Sequence, residues 1–105
     1  MTIVLILLHA APEAENPRAD TAVRLAGAML AENKEVRMFL AGKGVLLLKE
    51  PPDLFHELLE LGLEVQCCGS SLKAQGIEVL PDSVKKSSMK GLSTWISAAD
   101  ETVCF

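Results

Sequence analysis

The sequence predicts an α/β protein: a three-layer sandwich with a five-stranded, mainly parallel sheet and helices on both faces. Apolar strand patterns alternate with amphipathic helical patterns along the chain, which is the order typical of parallel sheets. The first strand, Ile3–Leu8, is apolar at every position, as strands buried on both faces are. With 105 residues the chain has the length of a single domain, 1–105, and can bury a core without disulfides or metals.

Strand and helix patterns account for most of the chain. Strands are predicted at residues 3–8, 36–41, 63–68, 78–80 and 102–105. Helices are predicted from Asn16 to about residue 33 and over residues 53–61, 69–77 and 89–99, because apolar residues recur there at helical spacing. Asn16-Pro17 is typical of a helix start, and Gly62 of the end of the second helix. Residues 45–48, Val-Leu-Leu-Leu, stay apolar after the second strand without a clear partner.

Composition excludes several classes of function. The net charge is −4 and the ten lysines and arginines are scattered, so nucleic acid is not an expected partner. No run approaches the ~20 apolar residues of a membrane helix, and the apolar start of the chain lacks the basic residues of a signal peptide. Three cysteines, two of them adjacent, form no disulfide framework. We therefore expect a cytoplasmic protein that does not bind membranes.

Cys68 is the candidate nucleophile. It ends the third predicted strand, and a short helix follows it directly. The free N–H groups and positive end of a helix favour an anion such as a thiolate. Because a helix dipole alone shifts a thiol pKa only slightly, direct N–H contacts from Ser70 and Ser71, or a cation such as Lys73 or Lys43, are needed as well.

Two further residues are expected near Cys68. His9 and Lys43 also follow predicted strands, and sites in parallel sheets gather at the carboxyl ends of the strands. A loop residue without a role is the alternative for His9. Cys68 itself is either exposed, as its position at a strand end favours, or a small buried hydrophobe, as free cysteine often is.

The other polar candidates are assigned structural roles. Cys67 faces away from Cys68, because adjacent strand residues point to opposite faces, and is taken as core. Cys104 is taken as structural and His56 as a solvated helix residue. No His/Cys cluster has the spacing of a zinc site, and Gly42-Lys43-Gly44 lacks the spacing of a phosphate-binding loop. We therefore expect no metal and no cofactor.

Residues 68–77, Cys-Gly-Ser-Ser-Leu-Lys-Ala-Gln-Gly-Ile, resemble the cysteine segment of the DsrE/DsrF-like family of sulfur-relay proteins. In that family a cysteine lies eight residues before a glycine at the mouth of a parallel sheet, as Cys68 and Gly76 do here. The resemblance extends to residues 22–30 as the first helix, to residues 36–45 as the second strand with its glycine-valine turn, and to the order of the elements.

Three positions differ from the family pattern. Lys43 replaces a common aspartate and makes the site more positive, which favours a thiolate. Gln75 replaces an arginine before the glycine. Ser71 occupies the position of a second cysteine in some members, which argues against a dithiol switch within the chain.

The resemblance implies a persulfide relay, in which Cys68 accepts a sulfane sulfur from a donor protein and passes it to the thiol of an acceptor protein. Gly69, Ser70 and Ser71 would supply backbone N–H support, with Lys43 and His9 as helpers at the substrate site. The family also forms homo-oligomers, trimers or hexamers. The apolar residues 45–48 and the leucine-rich second helix are consistent with self-association; the alternative is that they complete the core of the chain itself.

Two other functions remain open at this point. One is a non-catalytic oligomeric binding or scaffold protein of the same fold, in which Cys68 is inert. The other is a small-molecule binder of flavodoxin-like kind that uses the strand ends, although no phosphate-binding loop supports it. The sequence does not name the donor, the acceptor or the pathway.

Overall fold

The computed structural model describes residues 2–12 and 17–105. Its centre is one sheet of five strands: β1 (Ile3–Leu8), β2 (Glu35–Leu40), β3 (Glu64–Cys68), β4 (Val84–Ser87) and β5 (Glu101–Cys104). The strand order is β4-β3-β2-β1-β5, and every neighbouring pair is parallel. The predicted sheet of five mainly parallel strands is confirmed.

Helices cover both faces of the sheet, unequally. They are α1 (Arg18–Ala31), a 3₁₀ helix (Gly42–Leu48), α2 (Asp53–Glu60), α3 (Gly69–Ala74) and α4 (Met89–Ala98). The buried side chains of the first four pack in one core cluster on one face. α4 contributes Leu92 to a smaller cluster on the opposite face. The three-layer arrangement is therefore confirmed, and the face under α4 is the thinner layer.

The alternation of strand residues explains why both faces need a cover. In β1, Val4 and Ile6 belong to the larger cluster, whereas Leu5 belongs to the smaller one. All three are fully buried, as the uninterrupted apolar pattern predicts. The predicted cap of α1, Asn16, lies outside the described residues.

The fourth strand was predicted in the wrong place. Residues 78–80 form no strand, and Val79 is 83% exposed. The strand is Val84–Ser87 instead, where only Val84 is buried, opposite Val65 of β3. Two of the four residues of this strand are lysines, so its hydrophobicity pattern does not indicate a strand. Charged residues are nevertheless common on edge strands, because they oppose pairing with further strands.

The apolar residues 45–48 are mostly used inside the chain. Val45, Leu47 and Leu48 are at most 6% exposed and belong to the larger cluster. This segment therefore completes the chain's own core and gives no support to self-association, which stays a prediction. None of the helices in the described residues is long and apolar enough to span a membrane.

Candidate functional site

The ends of three neighbouring strands form the candidate site. β1, β2 and β3 lie side by side in the sheet, and the register pairs Leu8 with Leu40 and Leu40 with Cys67. The residues that follow these positions are His9, the turn at Gly42, and Cys68. Parallel strands thus bring together three segments that are far apart in the sequence.

Cys68 ends β3, and α3 begins at the next residue. The backbone of Cys68 is extended, with φ −71° and ψ 122°, so the chain turns into the helix directly after it. The residue is only 6% exposed, less than its position at a strand end suggested. It packs in the smaller cluster with Leu5, Phe39 and Leu92. Little of its surface is therefore accessible to a reaction partner.

Hydrogen bonds dominate the electrostatics of the Cys68 thiol. Burial raises its pKa, but hydrogen bonds from the hydroxyl and amide of Ser71 and from the amide and hydroxyl of Ser70 lower it, and the pKa ends below its ordinary value. Ser70 and Ser71, from which N–H contacts were expected, are the residues that lower this pKa, and Gly69 is not among them. The arrangement favours a thiolate at Cys68.

Cys67 shows what the same residue type does on the other face. Its side chain is fully buried in the larger cluster, and its S–H donates to the carbonyl oxygen of Lys85 at 3.5 Å. Burial and the neighbouring Cys68 raise the pKa of Cys67 to about 11. Cys67 is therefore a protonated core residue, as predicted.

Ser71 is held in place by the turn after β2. The backbone N–H of Gly42 donates to Ser71 Oγ at 2.8 Å. Because that oxygen accepts from Gly42, its own proton is free to point at the Cys68 sulfur. Gly42 has a φ of +55°, and a Cβ there would lie 2.5 Å from His9 Nε2. His9, Gly42, Ser71 and Cys68 thus form a continuous row of contacts.

The cation that acts on the cysteine pair is neither of the two predicted, Lys43 and Lys73. Lys43 is exposed, and its ammonium group is not among the groups that shift the pKa of Cys68. Lys86 of β4 is paired with Cys67 and lowers the pKa of that thiol. Sequence reasoning missed Lys86 because β4 was assigned to the wrong segment; the run Val-Lys-Lys-Ser was its only signal.

The remaining candidates, Cys104 and His56, are both exposed. Cys104 is exposed on the edge strand β5, so burial gives no support to the structural role expected of it. His56 is exposed on α2, as predicted. Within residues 2–12 and 17–105, no three His, Cys, Asp or Glu side chains are grouped so that they could hold a metal ion.

Comparison with known proteins identifies the family. A model of the DsrE/DsrF-like family matches residues 2–105. The chain belongs to the DsrE/DsrF-like family. It is 32% identical over 114 residues to the uncharacterized protein MK0008 of Methanopyrus kandleri, with 98% of this chain and 93% of the relative covered. It is 34% identical over 99 residues to the uncharacterized protein MJ0989 of Methanocaldococcus jannaschii, with coverage of 84% and 87%.

Solved structures share the fold of this family member. The crystal structure of the ychN protein from E. coli superposes with a TM-score of 0.84 at 24% identity, over 100% of both chains. The protein of unknown function MTH1491 from Methanobacterium thermoautotrophicum superposes with a TM-score of 0.83 at 14% identity, again over 100% of both chains. At these identities the likeness establishes the fold and says nothing about the site.

Proposed function

We propose that this protein is a sulfur-relay protein that carries a persulfide on Cys68. The observation that carries the proposal is the position of Cys68 at a strand end directly before α3, where Ser70 and Ser71 lower the pKa of its thiol despite burial. Membership of the DsrE/DsrF-like family agrees with this chemistry. Thiol exchange requires a thiolate. The lowered pKa of Cys68 favours its thiolate, whereas the pKa of Cys67 is raised to about 11.

The reaction transfers one sulfur atom without net oxidation. The Cys68 thiolate attacks the outer sulfur of a donor persulfide, a bond forms between Cys68 Sγ and that sulfur, and the donor leaves as a thiolate. An acceptor thiolate then attacks the same outer sulfur, and Cys68 is released as a thiolate again. Ser70 and Ser71 stabilise the negative sulfur of Cys68 before the first step and after the second.

The supporting residues have unequal roles in this proposal. The Ser71 hydroxyl, oriented by the N–H of Gly42, and the Ser70 amide act on the sulfur. His9 packs against Gly42 and supports the turn, and Gly69 gives close access to the backbone. We retain Lys43 as a residue that attracts anionic partners, since it is exposed beside the same turn.

We also propose that the protein self-associates and works in the cytoplasm, where a carrier thiol stays reduced. Met89 and Ile96 of α4 are 54% and 45% exposed. These two residues are seven positions apart and therefore lie on the same side of α4, the helix that covers the smaller cluster. This side of α4 is a better candidate for the contact between copies than the buried residues 45–48.

A scaffold with an inert Cys68 is the second candidate, because the residue is 6% exposed and packs among apolar side chains. The experiment that separates the two measures the rate of Cys68 alkylation against pH, and the mass of the protein after incubation with a persulfide donor. In a Cys104→Ser background a relay gains the mass of one sulfur, the further change Cys68→Ser abolishes that gain, and Cys67→Ser keeps it. An alkylation pKa at or above about 8.5 with no gain of mass would support the scaffold.

A further inference from the structure

A pocket lies between α3 and β4, beside the residues that follow Cys68. Its volume is about 550 Å³, within the range of roughly 300–1,000 Å³ that small-molecule sites occupy. Gly69 and Ser70, the two residues after Cys68, form part of its wall. A ligand in this pocket would therefore lie next to the segment that carries the thiol.

The charge of the pocket is opposite to that of the chain. Lys73, Lys86 and Glu78 line it, so two ammonium groups face one carboxylate in a chain of net charge −4. Among the residues that the structure describes, every ion pair involves Arg24 or Arg37. Neither lysine of the pocket is neutralised by a carboxylate of the described residues, and both are available to an anionic ligand.

Lys86 lies against the part of the pocket wall that Gly69 forms. Its stem lies across Gly69, because a Cβ at that position would be 3.2 Å from Lys86 Cε, 3.4 Å from Cγ and 3.5 Å from Cδ. Residue 69 thus leaves room for the lysine. β4 pairs Lys86 with Cys67, so Lys86 lies on the face of the sheet to which Cys67 points, and a ligand held there reaches the Cys68 sulfur across Gly69.

The rest of the pocket is partly apolar. Leu72, Ile77 and Leu80 line it, which suits the carbon skeleton of a small molecule better than a bare inorganic anion. We propose that this pocket binds the carboxylate groups of a small thiol persulfide through Lys73 and Lys86, and so presents its sulfur to Cys68. This inference rests on the proposed relay and names the class of its donor: a low-molecular-weight thiol that carries carboxylates.

The first test uses disulfides of different charge as probes of a Cys104→Ser protein. Oxidised glutathione is anionic, hydroxyethyl disulfide is neutral and cystamine is cationic. In each case the Cys68 thiolate attacks one sulfur, a mixed disulfide forms, and the other half leaves as a thiolate. Mass spectrometry locates the adduct and gives the rate. The ratio of the anionic to the neutral rate reports the pocket, whereas the neutral rate alone reports the reactivity of Cys68.

Lys73→Gln and Lys86→Gln should each lower the anionic-to-neutral ratio about threefold, the effect of losing one exposed charge contact. Added salt should lower the ratio of the unmodified protein in the same way, and the cationic probe should respond in the opposite direction. Lys34→Gln removes a charge at the start of β2, the opposite end of the sheet, and should leave the ratio unchanged. A ratio insensitive to Lys73 and Lys86, or equally sensitive to Lys34, would overturn the proposal.

The second test does not need a reactive cysteine. S-methylglutathione, which cannot exchange sulfur, is titrated into the Cys68→Ser protein while backbone amide NMR shifts are followed. We expect saturable shifts at Gly69, Ser70 and Lys86 at millimolar concentration, lost in the Lys73→Gln/Lys86→Gln variant and weaker with the dimethyl ester of the ligand. No saturable shift would refute the pocket. Slow reaction with all three disulfides, together with binding here, would refute the relay alone.

Discussion

Replacing Ser71 by alanine should change the pH profile of Cys68 in a way that no other single hydroxyl does. The Ser71 hydroxyl is the largest of the hydrogen-bonding groups that lower the pKa of this thiol. It accepts from the Gly42 N–H at 2.8 Å, so its proton is directed at the sulfur. Ser71→Ala removes this contact and leaves the backbone contacts of Ser70 and residue 71.

A hydrogen bond to a charged group contributes about 1.5–3 kcal/mol, and the lower figure changes an equilibrium by about tenfold. The thiolate fraction at neutral pH should therefore fall about tenfold in Ser71→Ala. A more basic thiolate is also a better nucleophile, and a Brønsted coefficient of about 0.4–0.5 converts that change into roughly a threefold gain per thiolate. The net result is an exchange rate about threefold slower at neutral pH and about threefold faster on the alkaline plateau.

The assay is exchange of Cys68 with the neutral hydroxyethyl disulfide over a range of pH, in the Cys104→Ser background. The curves of exchange rate against pH should cross for the protein with Ser71 and the Ser71→Ala variant, and the midpoint of the variant should lie at higher pH. Ser71→Thr keeps a hydroxyl and should restore most of the original profile, and Ser93→Ala, an exposed serine of α4, should not change it. Parallel profiles that differ by a constant factor would mean that Ser71 affects access to the sulfur and not its charge.

Three further outcomes follow from the structure. Gly42→Ala should lower the free energy of unfolding in urea by about 1–2 kcal/mol, since a φ of +55° strains an alanine. Adding His9→Ala to this variant should recover only the part of the loss that comes from the clash with His9. An unchanged free energy of unfolding in Gly42→Ala would contradict this account. Because the pKa of Cys67 is about 11 when folded and about 8.5 when unfolded, the folded protein should lose up to roughly 1.4 kcal/mol of stability per pH unit between about pH 8.5 and about pH 11. Cys67→Ala should lack that loss, and equal slopes would refute it. Met89→Lys with Ile96→Lys should lower the mass found by sedimentation; an unchanged mass would exclude this side of α4 as the contact between copies.

The site was predictable where it depends on neighbours in the sequence. Cys68 was expected at a strand end before a short helix, and it lies there; Ser70 and Ser71, expected to act on its sulfur, lower the pKa of the thiol. Cys67 was expected on the opposite face, and lies there. Strand alternation and the direction of a helix N-terminus are local properties, so a single segment of sequence specifies them.

Contacts between distant segments were not predictable in the same way. The N–H of Gly42 reaches Ser71 across 29 positions, and Lys86 lies over Gly69 only because β4 pairs with β3. The strand that brings Lys86 there contains one buried residue, so its hydrophobic pattern is too weak to reveal it. Lys43 was the expected cation because it was close to a strand end in the sequence.

By itself the sequence determined the order of the elements, the parallel character of the sheet and the cysteine that ends β3. These features depend on hydrophobic periodicity and turn residues, which are properties of short segments of the sequence. Only the tertiary structure decided that Cys68 is nearly covered, that the Ser71 hydroxyl is held by Gly42, and that Lys86 shares a pocket with Lys73. These features arise from pairing and packing between segments far apart in the chain, and such pairing depends on the whole sheet and not on any one stretch of residues.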